Sequence, residues 1–486
     1  MVRERRTEAG ELTVSASGAD SPPPGDGHTR RRVLQTALSA GLVVGTSGWQ
    51  AAGAMAAEAA RPRKLRRPGS LPHPNLKPGT DTIPQIKHIV VLMMENHSYD
   101  NHLGMLSRAG ADGFKLGSDG KPTAQNPYPN GDIQHAFRMP TTCQLSGHPS
   151  QTWQNAHVQL AGGKLNGFVK SGSGPVAMGY WEKADLPFYY SLASTFPIAD
   201  RYFCSVLGQT FPNRRYLLAA TSMGMVNDTV PDPLQYPKGG TIFDHLHHAG
   251  VSFADFYSPL VGFLPTPTAG LYPELLVKYA GEMHEIDRFF DEAKAGTLPG
   301  FCIVEPNYLS TSEEDPQNIA NGEQFAAKVI DAVMTGPGWK NTLLIWTYDE
   351  HGGYYDHVAP PAAIAPDDIA PSVGSGKAYT GFKQYGFRVP CAIVSPWARH
   401  GYVSHKVFDH TSICALVEAK WNLPAMTYRD ANASNMLDIL DLSSPAFLHP
   451  PKLARPLLDT DPSAAACSSS GPGTIPPPGS VSPPPK

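Results

Sequence analysis

The sequence predicts an α/β fold, a central and mostly parallel sheet sandwiched by helices. Two observations predict it. Short apolar runs alternate along the chain with helical stretches, the order of a doubly wound sheet. The runs are apolar at every position rather than at alternate ones, which suits strands covered on both faces. At 486 residues there is room for one large α/β domain with decorations, or for two domains.

The first segment reads as an address. The stretch from Thr29 to Gln35, Thr-Arg-Arg-Arg-Val-Leu-Gln, resembles a twin-arginine export signal, and no residue from Val33 to Ala57 is charged. Ala54-Met55-Ala56 offers small residues to a signal peptidase. Residues 1–56 are therefore expected to be a signal peptide read by the twin-arginine export machinery. The folded protein would then be secreted, periplasmic or held at the cell surface. An uncleaved membrane anchor and a fortuitous arginine run stay open. Residues 57–80 are basic and Pro-rich, with Arg61, Arg63, Lys64, Arg66 and Arg67. They read as a linker or surface arm, with transient contact to an anionic membrane surface as the alternative.

Residues 81–455 read as the catalytic domain. Strands are expected at His88–Met94, Phe301–Val304, Thr342–Trp346 and Val389–Val394, and helices at Ile242–His248, Glu282–Lys294 and Glu323–Met334. Residues 456–486, rich in Ser, Gly and Pro, are expected to be disordered. The six cysteines (Cys143, Cys204, Cys302, Cys391, Cys414 and Cys467) form no C-x-x-C pair, which argues against a structural zinc knuckle. Buried free thiols are the simpler reading, and one or two disulfides the other. With 39 Lys+Arg against 43 Asp+Glu, no electrostatic nucleic-acid binder is indicated.

Acids follow the strands directly: Glu95-Asn96 after the first, Glu305 after the second, Asp349-Glu350 after the third. Ligands of open α/β sheets bind at the carboxyl ends of the strands. Carboxylates converging there repel one another, and a hard divalent cation removes the repulsion. Solvated acids or helix caps are the plainer reading of any one of them. Gly208-Gln209-Thr210 places a hydroxyl after a turn, where a cation could favour its alkoxide, although Thr before Phe-Pro also suits ordinary turn chemistry. His148, His351, His357 and His410 are candidates to donate protons or to contact phosphoryl oxygens. There is no G-x-S-x-G, H-E-x-x-H, Walker A or G-x-G-x-x-G stretch.

Four motifs carry a resemblance. Glu95-Asn96-His97-Ser98-Tyr99-Asp100 resembles the E-N-[RH]-S-[FY]-D motif of the phosphoesterase family, which holds bacterial phospholipases C, plant non-specific phospholipases C and related acid phosphatases. Thr210-Phe211-Pro212-Asn213-Arg214 is similar to its T-x-P-N-R motif, and Asp349 to Pro361 to its D-E-x-G-G-x-x-D-H-V-x-P-P motif. Gly386-Phe387-Arg388-Val389-Pro390 with Ser395-Pro396-Trp397 resembles a fourth, and all four keep the family's order. The resemblance implies an alkaline-phosphatase-like fold. It implies a divalent metal (Ca, Mg, Mn, Zn or Fe) on Glu95, Asn96, Asp349, Glu350 and Thr210, and Thr210 as nucleophile. His148, His357 and Asn96 would act on the phosphoryl group, with His351, Glu305 and Arg214 lining the substrate site. Glu313-Glu314-Asp315-Pro316-Gln317 departs from the family's E-E-H-P-P-like stretch, so the headgroup pocket is expected to differ. The expected activity is phospholipase C on phosphatidylcholine-like lipid or a small phosphoester. An acid phosphatase on the same core and a secreted lipid-binding protein without activity are the alternatives.

Overall fold

A computed structural model describes residues 65–144, 148–259, 267–373, 381–458 and 476–485. The strands, in chain order, are β1 (His88–Met94), β2 (Gln125–Pro127), β3 (Ile133–His135), β4 (Phe137–Arg138), β5 (Gly179–Tyr180), β6 (Ile198–Ala199), β7 (Phe253–Tyr257), β8 (Met283–Glu285), β9 (Phe301–Val304), β10 (Thr342–Tyr348), β11 (Cys391–Val394), β12 (Val403–Ser404) and β13 (Val481–Ser482). Eight of them build the central sheet in the order β12-β6-β11-β10-β1-β9-β7-β8. The run from β10 to β8 is parallel. β11 runs against both its neighbours, β10 and β6. The sheet is thus mostly parallel, as expected.

β1 and β10 form its centre, in register from His88 opposite Thr342 to Met94 opposite Tyr348. Every residue of β10, and of β1 after His88, is buried. Burial on both faces is why these strands read as unbroken apolar runs. Leu246, Phe289, Val329, Ile330, Leu416 and Val417, from four helices, share one core cluster with the strand side chains.

Helix Ile242–His248 has its predicted bounds and a Thr241/Asp244 capping box. The helix expected at 323–334 begins earlier, at Ile319, because the Asn318 side chain caps the Ala320 amide. The stretch expected as one helix from 282 is divided: Met283–Glu285 pairs with β7 and only Ile286–Ala295 is helical. Pairing at the sheet edge overrides local propensity there.

Two boundary expectations need correction. Residues 65–80 are not a free linker: the Gly69 amide donates to the Ala425 carbonyl, and the Asn422 side-chain amide donates to the His73, Leu76 and Lys77 carbonyls. The segment expected to be disordered contains β13, which pairs antiparallel with β3. A sheet edge can recruit a short extended segment by main-chain hydrogen bonds alone, so composition did not reveal it. The signal segment lies outside the described residues. Cys204, Cys302, Cys391 and Cys414 are free and buried, and Cys143 is disulfide-bonded. Among the described residues no helix is long and apolar enough to cross a membrane.

Candidate active site

The carboxyl ends of β1, β9 and β10 bring Glu95, Glu305 and the Asp349–Glu350 pair to one edge of the sheet. Register sets their levels. Met94 pairs with Tyr348, so Glu95 and Asp349 leave neighbouring strands together. Leu92 pairs with Val304, which puts Glu305 two residues lower, beside Met93. All four acids are buried. Buried anions need a partner, and Arg214 supplies part of one. Its Nε donates to Asp349 Oδ2 at 3.0 Å, and its Nη1 lies 3.5 Å from Glu305 Oε2. The same guanidinium also reaches the Met93 and Met94 carbonyls and Thr268. Expected to bind substrate, Arg214 is instead wholly buried and spent on the sheet. Glu305 is likewise buried, accepting from the Thr268 amide and the Tyr308 hydroxyl as well.

One arginine does not satisfy the cluster. Burial, then Glu314 and Asp349, push Glu95 well above the carboxylate range. Burial and then Asp349 do the same to Glu350. Asp349 is pushed up to about 6 by burial, with Arg214 pulling the other way. Glu95 Oε2, Glu350 Oε1 and Asn96 Nδ2 are buried without a hydrogen-bond partner. Buried polar atoms are normally paired. Unpaired oxygens on two adjacent acids suit a hard divalent cation, and an Asn amide turned over would add a third oxygen.

Two other groups bring three ligand atoms within 4.8 Å of one another: His97, His102 and Glu313, and Asp100, Asp356 and His357. The expected set of Glu95, Asp349 and Glu350 is not one of these. Both compact groups already have partners. Glu313 accepts from the Tyr189 and Tyr348 hydroxyls and is hydrogen-bonded to His102 Nε2. Arg388 donates to Asp100 and Asp356 at 3.0 and 2.9 Å, supplying the positive charge a cation would bring.

The glycine pair explains how the segments close together. Gly352 sits at φ +64, and a Cβ there would come within 1.9 Å of the Asn96 carbonyl. A Cβ on Gly353 would come within 2.7 Å of the Ser150 amide. Only glycine lets the loop after Glu350 press against both the Asn96 and the 148–150 segments. That contact places exposed His148 beside the loop. Gly352 also donates its amide to Glu350 Oε2 at 2.8 Å. His351 is wholly buried behind Glu350, and burial lowers it to about 3, so it is neutral. Its Nε2 donates to Gln159 Oε1 at 2.7 Å, and its Nδ1 lies 3.1 Å from Glu350 Oε2.

Thr210 opens the helix Thr210–Ala219. Arg214, one turn on and on the same side, touches Asp349, which sets this helix beside the end of β10. Asn213 fixes the preceding turn: its Nδ2 donates to the Gly208 and Gln209 carbonyls, and its Oδ1 accepts the Val206 amide. The T-x-P-N-R pattern thus joins a helix-start hydroxyl, a turn staple and a charge balance. Among the described residues the Thr210 hydroxyl has no hydrogen-bond partner.

His357 belongs elsewhere. Its Nδ1 pairs with Asp100 Oδ2 at 2.6 Å and its Nε2 lies 3.3 Å from Asp112 Oδ1. Burial would lower its pKa, but the Asp100 hydrogen bond and charge raise it to about 9. Expected to act on the phosphoryl group, it has both ring nitrogens engaged in the Asp100–Asp356–Arg388 ion network. Three residues at the site escaped sequence reasoning. Asp228 accepts the Phe211 amide at 2.8 Å and the Gln209 side chain at 3.0 Å. Half-buried Glu314 acts electrostatically on Glu95, Asp349 and Glu350. Burial, then Glu305, push Asp255 on β7 well above the carboxylate range. No motif or strand end marks Asp228. His410, singled out only as a candidate, bonds the Asp349 carbonyl through Nε2 at 2.7 Å and so braces the β10 end.

The profile of the Phosphoesterase family matches residues 86–424. The chain is 31% identical to Non-specific phospholipase C6 of Arabidopsis thaliana over 80% of its length and 79% of the relative's. It is 30% identical to Phospholipase C A of Mycobacterium tuberculosis over 79% and 82%. A solved protein in the Alkaline Phosphatase Superfamily from Vibrio parahaemolyticus matches 64% of this chain and 71% of its own, with a TM-score of 0.33 and 10% identity.

Proposed function

The chain belongs to the phosphoesterase family, and on that premise we propose that it is an exported, divalent-metal-dependent phospholipase C. It would hydrolyse phosphatidylcholine-like lipids to diacylglycerol and a phosphorylated headgroup. That it is a phosphoric ester hydrolase follows from the family itself. The observation that carries the finer reading is that Thr210 opens the helix whose Arg214 is bonded to Asp349, at the sheet edge where Glu95 and Glu350 each keep a buried oxygen without a partner. The phospholipase C names of both relatives favour the diester lipid over a monoester. A disulfide at Cys143 suits a compartment outside the reducing cytoplasm.

Thr210 Oγ attacks phosphorus in line, the bond to the diacylglycerol oxygen breaks, and that oxygen takes up a proton. Water then cleaves the phosphothreonine and restores the hydroxyl. Asn96 Nδ2, buried without a partner, donates to a nonbridging oxygen. The amino end of helix Thr210–Ala219 adds partial positive charge. A divalent cation held by Glu95, Asn96, Asp349, Glu350 and Thr210 would supply charge against the phosphoryl oxygens and favour the Thr210 alkoxide. Arg214 keeps Asp349 ionised and oriented for that task.

The test is a rate panel with p-nitrophenyl phosphorylcholine and p-nitrophenyl phosphate, with and without chelator, on wild type and Thr210→Ala. Faster diester cleavage, abolished by chelation and cut by roughly 10³-fold or more in the variant, is expected. Near wild-type turnover by the variant would remove Thr210 as nucleophile. A faster monoester rate would make the protein a phosphatase.

A further inference from the structure

We propose that Asp228 is a positioning residue for the nucleophile, clamping the chain on both sides of Thr210 so that its hydroxyl is held in line with the phosphoryl group. This rests on the reading of Thr210 as nucleophile.

The helix Thr210–Ala219 lacks its own cap. Gln209, at the N-cap position, makes no side-chain capping bond. The first amides of a helix need an acceptor from somewhere. Asp228 reaches back from a later loop to supply one. Its Oδ1 accepts the amide of Phe211, the residue after Thr210, at 2.8 Å. Its Oδ2 accepts Gln209 Nε2, from the residue before, at 3.0 Å. One carboxylate thus spans the nucleophile without occupying its hydroxyl.

The loop carrying Asp228 is itself pinned to that helix. Arg215 is wholly buried, and its Nη1 donates to the Ser222 carbonyl at 3.1 Å and to Gln235 Oε1 at 2.6 Å. Gln235 Nε2 donates in turn to the Met223 carbonyl at 3.0 Å. Residues 222 to 235 therefore form a loop closed at its base by one helix residue and at its middle by another. Asp228 is half-buried. Its hydrogen bonds go to the helix start.

Fixing a reacting atom is worth a great deal, and a displacement of about 1 Å can cost about 10²-fold in rate. The clamp is tested by kcat and KM on p-nitrophenyl phosphorylcholine for Asp228→Ala, Asp228→Asn, Thr210→Ala and the Asp228→Ala/Thr210→Ala double variant. Asp228→Ala should lower kcat by about 10²-fold with KM little changed. Asp228→Asn keeps an acceptor for the Phe211 amide, and Gln209 can turn its amide to suit, so most of the rate should return. The double variant should be no slower than Thr210→Ala alone, because a clamp has nothing left to position. Wild-type kcat in Asp228→Ala beside an inactive Thr210→Ala would overturn the clamp and leave the nucleophile standing. A loss in Asp228→Asn as large as in Asp228→Ala would also overturn it, since charge rather than geometry would then matter. Activity in Thr210→Ala would instead bring down the reading beneath it.

Discussion

Glu313 shows how far a single buried group departs from its sequence-level expectation. In the sequence it only opens the Glu313–Gln317 stretch, where Asp315 stands in place of the family's histidine. In the structure it is the centre of a hydrogen-bonded knot, with the Tyr189 and Tyr348 hydroxyls donating to its carboxyl and His102 Nε2 3.0 Å from its Oε2. Burial raises it to about 8, although the two tyrosines pull it down. Burial also lowers His102 to about 3, so their 3.0 Å contact is a neutral hydrogen bond rather than an ion pair. A carboxyl whose pKa is higher folded than unfolded binds more protons folded. Its stabilising contribution is complete below the unfolded carboxyl pKa of about 4 and is lost as pH rises through about 8. The fall in melting temperature between about pH 5 and pH 8 should therefore flatten in Glu313→Gln. Thermal melts across that range check it, and an unchanged slope would count against the assignment.

At the scale of elements, the helix Thr210–Ala219 ties the sheet together. Arg214 joins it to the ends of β1, β9 and β10 through the Met93 and Met94 carbonyls, Glu305 and Asp349. Removing this cation leaves two buried carboxylates without their partner. Arg214→Met should cost about 3–5 kcal/mol of unfolding free energy, the usual result of breaking a buried pair from one side. Urea unfolding at neutral pH measures this directly. A loss below about 1 kcal/mol would mean that the acids are protonated and need no counter-charge.

For the whole molecule, the open question is where the chain works. The export proposed above rests on the twin-arginine-like stretch at Thr29 to Gln35 and on the disulfide at Cys143. Replacing Arg30 and Arg31 together by lysine should leave the protein inside the cell. Fractionation with an antibody to the folded domain would show it, and normal export of that variant would refute this route. The order found within residues 65–80 and in β13 means that the folded unit extends past both expected limits of the catalytic domain.

The sequence by itself determined the mostly parallel sheet and the delivery of Glu95, Glu305, Asp349 and Glu350 to one edge of it. Both follow from local facts: apolar runs buried on two faces, and acids directly after them. It also determined the turn before Thr210, which Asn213 of the same motif staples, while the helix that Thr210 opens emerged only in the structure. Only the tertiary structure decided which charged groups meet. It spent Arg214 and His357 on buried carboxylates, closed the Gly352–Gly353 loop on Asn96 and Ser150, and brought Asp228 to the Phe211 amide from a loop with no pattern. Side-chain pairing between distant segments depends on three-dimensional packing and leaves no periodic trace along the chain, whereas strand burial repeats at every residue and can be read directly.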